Sequence, residues 1–334
     1  MSSADLLITG ATGFIGFKVL LGALQAGYTV RAAIRSPEKA KTLASHPKIT
    51  ASGKTDNLSF VEVPDITCDG AYDEATKDVT YVIHLASPLP SPFLDPQTGI
   101  YEPTIKSVST LLASASKEPS VKKIVITSSV FANTPFPPDA SQEITAETRL
   151  SDLSGPFDSM LPAYRAGKIA ALNFTDKFIK EKEPSFTVIN VFPGFVFGRD
   201  DRALEVKDLY AGTNCILLPI ITGQSAPNPM PSSATHVDDT AKVHLEALKE
   251  GISGNFGVTK LHEFNDAWKA VEKQFPEAVA DGTFTQGNQP TVPLNYMVLF
   301  LSVLLPTQRY RRQLPKTLFP VNVHALMPSF GLVA

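Results

Sequence analysis

The octapeptide TGATGFIG at residues 9–16 decides how this chain is read, because it follows the apolar run LLI and precedes a helix-like stretch. A strand, then three glycines spaced three apart, then a helix is the context that a dinucleotide-binding turn requires. Gly10 allows the tight turn, Gly13 lets the backbone approach a pyrophosphate, and Gly16 lets helix and strand pack closely. Unpaired amides at the helix N-terminus, together with the helix dipole, then favour an anion. Gly10, Thr12, Gly13, Phe14, Ile15 and Gly16 are therefore expected to hold a cofactor.

Short β-branched runs continue the rhythm outward from this turn: YTVRAAI at 28, LSFVEV at 58, VTYVIHLA at 79, KKIVIT at 122 and FTVINV at 186. Helices are predicted near 14–26, 102–117, 162–182, 237–249 and 262–273 between and after them. Alternating βα units with strands this apolar predict a doubly wound parallel sheet covered on both faces. Two long, weakly periodic segments, 133–161 and 199–235, are expected to form substrate walls or lids.

The end of the second strand chooses the cofactor, since a carboxylate there accepts from a free ribose hydroxyl and repels a 2′-phosphate. No Asp or Glu lies between Leu6 and Pro37; Arg35 ends the strand and Lys39 follows one helical turn later. A guanidinium fork suits a phosphate, so NADPH is expected in preference to NADH.

YRAGK at 164–168 sets Tyr164 and Lys168 four apart on one helical face, continued by Ala171, Leu172, Thr175, Phe178 and Ile179. Both are expected to look inward, with the ammonium and an oxidised nicotinamide lowering the phenol pKa. Ser128 and Ser129 follow the strand IVIT, where open α/β sheets bind ligands, and Ser129 is placed to hold a substrate oxygen.

Taken together, TGATGFIG, AIRSPEK, HLASP at 84–88, ITSS at 126–129, YRAGK, NVFPGFVFG at 190–198 and THVDD at 235–239 carry a family resemblance. From about residue 5 to 290 the chain resembles the extended short-chain dehydrogenase/reductases. Within them it is similar to the branch of dihydroflavonol reductases, cinnamoyl-CoA reductases and fungal aldehyde or methylglyoxal reductases. The resemblance implies an α/β, Rossmann-type doubly wound parallel sheet with a smaller C-terminal substrate lobe. It implies Ser129, Tyr164 and Lys168 as the catalytic residues. Asp65 and Ile66 would lie against adenine, Leu85, Ala86, Ser87 and Thr127 would line the cofactor, and the loop from Pro193 to Val196 would flank the nicotinamide. The NADP-binding domain would occupy mainly 1–190 and the substrate lobe mainly 191–296, with segments returning to the first domain.

The implied activity is reduction of an aldehyde or ketone to an alcohol by NADPH, with a place in fungal-type secondary metabolism suggested by resemblance alone. Two rivals remain: a nucleotide-sugar epimerase or dehydratase with bound NAD, and a non-catalytic NADP-sensing protein. His84, His236 and Asp238 are read as structural, and no metal is expected. Phe131, Phe136 and Phe157 fit either an apolar pocket for the carbonyl substrate or core packing.

A net charge of -3, 43% hydrophobic and 19% charged residues favour a globular protein and give no general attraction for nucleic acid. Cys68 and Cys215 lie outside any CxxC spacing and are expected to be reduced and buried. MSSADLLITG has neither a basic n-region nor a long apolar stretch, so cytoplasmic residence is expected, as a monomer or homodimer. After Asp281 no Asp or Glu occurs, and residues 297–334 depart from the family pattern. This tail is read as frameshifted or intron-derived, as a variant terminus capping the lobe or making a subunit contact, or as membrane attachment. Its apolar run, Met297 to Leu305, is too short to span a bilayer.

Overall fold

The computed structural model describes residues 4–296 apart from 140 and 211, so the atypical tail lies outside the described residues. The strands are β1 (Ala4–Thr9), β2 (Val30–Ile34), β3 (Leu58–Glu62), β4 (Val79–His84), β5 (Lys123–Thr127), β6 (Thr187–Pro193), β7 (Phe195–Phe197), β8 (Met230–Pro231), β9 (Ala234–His236), β10 (Phe256–Val258) and β11 (Thr291–Val292). The helices are α1 (Phe14–Gln25), α2 (Pro37–Ala44), α3 (Pro47–Thr50), α4 (Asp73–Thr76), α5 (Glu102–Ala115), α6 (Met160–Lys182), α7 (Leu218–Ile221), α8 (Val237–Glu246), α9 (Asp266–Gln274) and α10 (Pro276–Ala280).

Seven strands form one sheet in the order β10-β6-β5-β4-β1-β2-β3, and every pairing within it is parallel. Successive side chains alternate between its faces. Leu6, Ile8, Ile83 and Val125 point to one face and pack with Phe17 and Leu20 of α1 and with Ala241 and Val243 of α8. Leu7, Val82, Ile124 and Ile126 point to the other and pack with Leu111 and Leu112 of α5 and Ala171 of α6. Both faces are buried, which is why these strands read as unbroken apolar runs. The strand order reverses between β1 and β4, and the crevice beyond their carboxyl ends is where such sheets take ligands.

A second apolar cluster sits apart from the sheet, with Phe197, Leu217, Ile220, Phe264, Trp268, Phe275 and Phe284 at its centre. It is built from β7, α7, α9 and α10 and from the two-stranded β7–β9 pairing.

Two expectations need correction, and one strand was not anticipated. Cys68 and Cys215 are free thiols as expected, yet both are exposed, because each sits on a connecting segment rather than a buried strand or helix. Cys68 donates to Asp65 Oδ2 at 3.4 Å. Of the predicted α6 stripe, Ala171, Leu172 and Thr175 are buried, whereas Ile179, in the last turn of the helix, is 36% exposed. Strand β10, with its short FGV segment, is absent from the sequence reading.

Candidate active site

Thr9 ends β1 and organises the crevice. Its Oγ1 accepts from the amides of Leu85 and Ala86 at 3.2 and 3.1 Å. With both lone pairs engaged, its proton goes to His84 Nδ1 at 2.8 Å. Burial holds the His84 pKa down at about 3, so the ring is a neutral structural group at neutral pH. The Leu85–Ser87 segment is thereby fixed beside the glycine turn.

The turn itself fits a dinucleotide. Gly10 has φ +74°, and a Cβ there would lie 2.8 Å from the Ala86 nitrogen. A Cβ on Gly16 would lie 2.1 Å from the Gly10 carbonyl oxygen, so α1 can start this close to β1 only without a side chain at that position. Gly13 is the N-cap of α1, and no side chain caps the helix, leaving its first amides for an outside acceptor. Thr12 is exposed, while Phe14 and Ile15 are partly buried.

Arg35 and Lys39 are exposed beyond β2. Beyond β3, the Asp65 carboxylate accepts from Thr67 N at 2.8 Å and Thr67 Oγ1 at 2.7 Å. Those bonds, with a smaller contribution from Arg35, hold its pKa below the usual carboxylate range. The Ile66 carbonyl accepts from Thr110 Oγ1 of α5 at 2.8 Å, which fixes the segment at the mouth of the crevice.

The candidate catalytic side chains converge from the end of β5 and from α6. Ser129 follows β5 and caps a short 3-10 turn, its Oγ accepting from Phe131 N at 3.2 Å. Its hydroxyl is close enough to the Tyr164 phenol of α6 to favour the charged form of that group. Lys168, one turn along α6 and 6% exposed, donates to Ser87 Oγ at 3.2 Å and weakly to the Thr127 carbonyl at 3.4 Å. Its Nζ lies 5.7 Å from the centre of the Tyr164 ring.

Electrostatically the phenol departs from expectation. Burial pushes the Tyr164 pKa up to about 12, and the Ser129 hydroxyl only partly offsets this. Burial also lowers Lys168, to about 8. In each case removal from water outweighs the partners, because each change disfavours the charged form. The phenol is thus a proton donor at neutral pH, with an ammonium one turn away.

The rest of the expected set divides. Thr127 Oγ1 bonds His244 Nε2 of α8 at 2.7 Å. His244 Nδ1 in turn donates to the Thr240 carbonyl at 2.8 Å, so the Thr127 hydroxyl is the donor and only its carbonyl faces Lys168. Pro193 ends β6 and Val196 lies in β7, both buried. Phe131 meets Tyr164 edge-on at 6.3 Å and Phe195 at 6.0 Å. Phe136 instead is 60% exposed, with Arg165 5.9 Å from its ring, and Phe157 packs on Tyr101 at 5.0 Å. His236 caps α8, accepting from Asp238 N at 3.2 Å. Among the described residues no cluster of His, Cys, Asp or Glu is arranged to hold a metal, and no helix is long and apolar enough to cross a membrane. Sequence reading missed Thr9 and His84 as organisers, and the acidic pair Asp200 and Asp201 on the loop after β7.

Comparison with known proteins places the chain in a family. Residues 6–257 match the model of the NAD dependent epimerase/dehydratase family. Ketoreductase CTB6 of Cercospora nicotianae is 35% identical over 308 residues, covering 87% of this chain and 86% of its own. The NAD-dependent epimerase/dehydratase ALT6 of Alternaria alternata is 38% identical over 294 residues, covering 81% and 82%. Among solved structures, the yeast methylglyoxal/isovaleraldehyde reductase Gre2 complexed with NADPH superposes with a TM-score of 0.73 at 26% identity, covering 87% of this chain and 90% of that one. The chain belongs to the NAD dependent epimerase/dehydratase family, within the extended short-chain dehydrogenase/reductases, and is an oxidoreductase.

Proposed function

We propose that the protein is an NADPH-dependent carbonyl reductase that converts an aldehyde or ketone to an alcohol. The observation that carries this reading is the buried Tyr164–Lys168 pair, with Nζ 5.7 Å from the phenol ring centre, beside Ser129 at the carboxyl edge of the sheet. The chemistry that a bound reduced nicotinamide supplies is a hydride for the carbonyl carbon.

Each side chain then has a distinct task. Ser129 donates to the carbonyl oxygen and stabilises the negative charge that develops there. Tyr164, protonated at neutral pH, gives its proton to that oxygen as it becomes an alkoxide. Lys168 holds the nicotinamide ribose and, by its charge, stabilises the phenolate left behind. Ser87 and the Thr127 carbonyl orient the ammonium for both tasks. Phe131 and Phe195 offer an apolar aromatic wall for the organic part of the substrate.

Gly10, Gly13 and Gly16 with the Phe14 and Ile15 amides would take the pyrophosphate. Arg35 and Lys39 would take the 2′-phosphate, and Asp65 and Ile66 would flank the adenine. Leu85, Ala86, Pro193 and Val196 would line the nicotinamide half. The absence of any carboxylate between Leu6 and Pro37 favours NADPH over NADH.

The test is a panel of aldehydes and ketones followed by NADPH absorbance, with NADH as control. The expected result is stoichiometric NADPH loss with alcohol formed. Tightly held cofactor that is never consumed, with turnover of a nucleotide sugar, would replace the reductase by an epimerase.

A further inference from the structure

The loop after β7 reads RDDR at 199–202, and nothing in the chemistry above uses it. Its two carboxylates are almost wholly buried, the Asp200 side chain 2% exposed and that of Asp201 4%. Asp201 receives Lys18 of α1 at 2.6 Å, Lys48 of α3 at 2.9 Å and Arg199 at 2.7 Å. Three cations hold its pKa down at about 2 against the cost of burial. Lys18 also reaches Asp238 at 2.7 Å. The loop is therefore bolted to α1, whose N-terminus the glycine turn forms.

Asp200 aims a fourth cation at that turn. Its Oδ1 accepts from the Arg202 backbone amide at 3.0 Å and from Nε at 2.8 Å, and its Oδ2 accepts from Nη2 at 2.5 Å. The fork is thus fixed with Nη1 outward. Nη1 lies 3.3 Å from the Thr12 carbonyl oxygen, and Cζ lies 5.7 Å from the Phe14 ring centre. Thr12 and Phe14 flank Gly13, the N-cap of α1. A 3.3 Å bond from a guanidinium to a neutral carbonyl is long, whereas a phosphate oxygen offers a shorter, charge-assisted one.

We infer that Arg202 is a pyrophosphate-binding residue, held by Asp200 over the glycine turn so that its free edge closes on a nucleoside diphosphate seated at the α1 N-terminus. This rests on the cofactor reading above and adds a ligand from the loop between β7 and α7, two elements of the second apolar cluster. The site selects for the diphosphate, not for the 2′-phosphate at the far end of the adenosine.

The experiment is calorimetric titration of the full chain and its Arg202→Met and Arg202→Lys variants with NADPH, ADP-ribose and adenosine 2′-monophosphate. Loss of one charged hydrogen-bond donor should weaken NADPH and ADP-ribose by the same factor, about 10- to 100-fold for Arg202→Met. The monophosphate, which has no phosphate on its 5′ side, should bind unchanged. Arg202→Lys should fall between, and it carries the test should the methionine variant not fold. A change under about twofold for ADP-ribose, or an equal loss for the monophosphate, overturns the assignment. Binding that depends on Arg202 in a protein that reduces no carbonyl would leave this inference standing and remove the reductase reading. A wild-type chain that binds neither dinucleotide nor ADP-ribose would remove both.

Discussion

The Lys168 ammonium donates to the Ser87 hydroxyl across 3.2 Å, joining helix α6 to the segment after β4. Because Thr9 fixes that segment to the end of β1, the candidate catalytic lysine and the glycine turn share one rigid frame. A tyrosine placed four residues before the lysine is thereby held at a set distance from whatever the turn binds, which is the preorganisation that proton transfer needs.

Tyr164→Phe removes the proton donor while keeping the ring that packs against Phe131. The turnover number for carbonyl reduction should drop on the order of 10²–10⁴-fold. NADPH affinity, measured by fluorescence titration, should stay within about twofold. Unchanged turnover would remove Tyr164 from the mechanism.

Lys168, at about 8, loses its charge well before Tyr164 at about 12. In the free enzyme kcat/KM should therefore hold level through neutral pH and fall as pH rises through about 8. Lys168→Arg keeps a cation at all accessible pH values and should move that fall upward, at a lower plateau. A fall that stays at the same pH in this variant would assign it to another group.

Arg35→Ser removes a guanidinium from the end of β2 and introduces no carboxylate. NADPH affinity should weaken about 10- to 100-fold, the span of one charged hydrogen bond. NADH affinity should barely change. Equal losses for both cofactors would place Arg35 away from the 2′-phosphate.

How much of this was readable beforehand follows from the range of each interaction. The glycine turn, the Tyr164–Lys168 spacing and the first six strands are local patterns, and the structure builds β1 to β6 where the β-branched runs stand. Thr9–His84 and Thr127–His244 span 75 and 117 residues, and nothing beside either histidine marks its partner. RDDR opens the segment 199–235 expected as a wall or lid, and only the fold buries its two aspartates, with Asp201 paired to Lys18 of α1 and Lys48 of α3. The sign of the Tyr164 shift was missed for a related reason: spacing shows the ammonium nearby and cannot show how much water both groups lose.

Gly16→Ala tests the turn without touching any titratable group. The added Cβ would lie 2.1 Å from the Gly10 carbonyl oxygen and 2.8 Å from its carbon, both backbone atoms. Relief requires α1 to move off β1, at a cost of about 1–3 kcal/mol by the usual scale of overpacking. Urea unfolding should show this loss, and NADPH binding should fall with it as the amides at the α1 N-terminus turn aside.

Acid stability follows from three histidines held neutral by burial: His84 at about 3, His244 and His262 at about 4. Each folded-state value lies below the 6.5 of an unfolded histidine, so the unfolded chain takes up protons first. Stability contributed by these groups is fully present above about pH 6.5 and is lost as pH falls toward 4. The slope should be about 1.4 kcal/mol per pH unit for each histidine. Asp201, lowered from 3.8 to about 2 by its three cations, acts only in the more acidic window below 3.8. Urea unfolding of wild type and His244→Gln between pH 8 and 4.5 separates these contributions. The variant should be less stable at pH 8, where the Thr127–His244–Thr240 bridge is intact in the wild type. It should also lose stability less steeply on acidification, with one fewer proton taken up on unfolding. An unchanged slope would mean that His244 carries its proton in the folded state, and with it that the Thr127 hydroxyl is not the donor in that bridge.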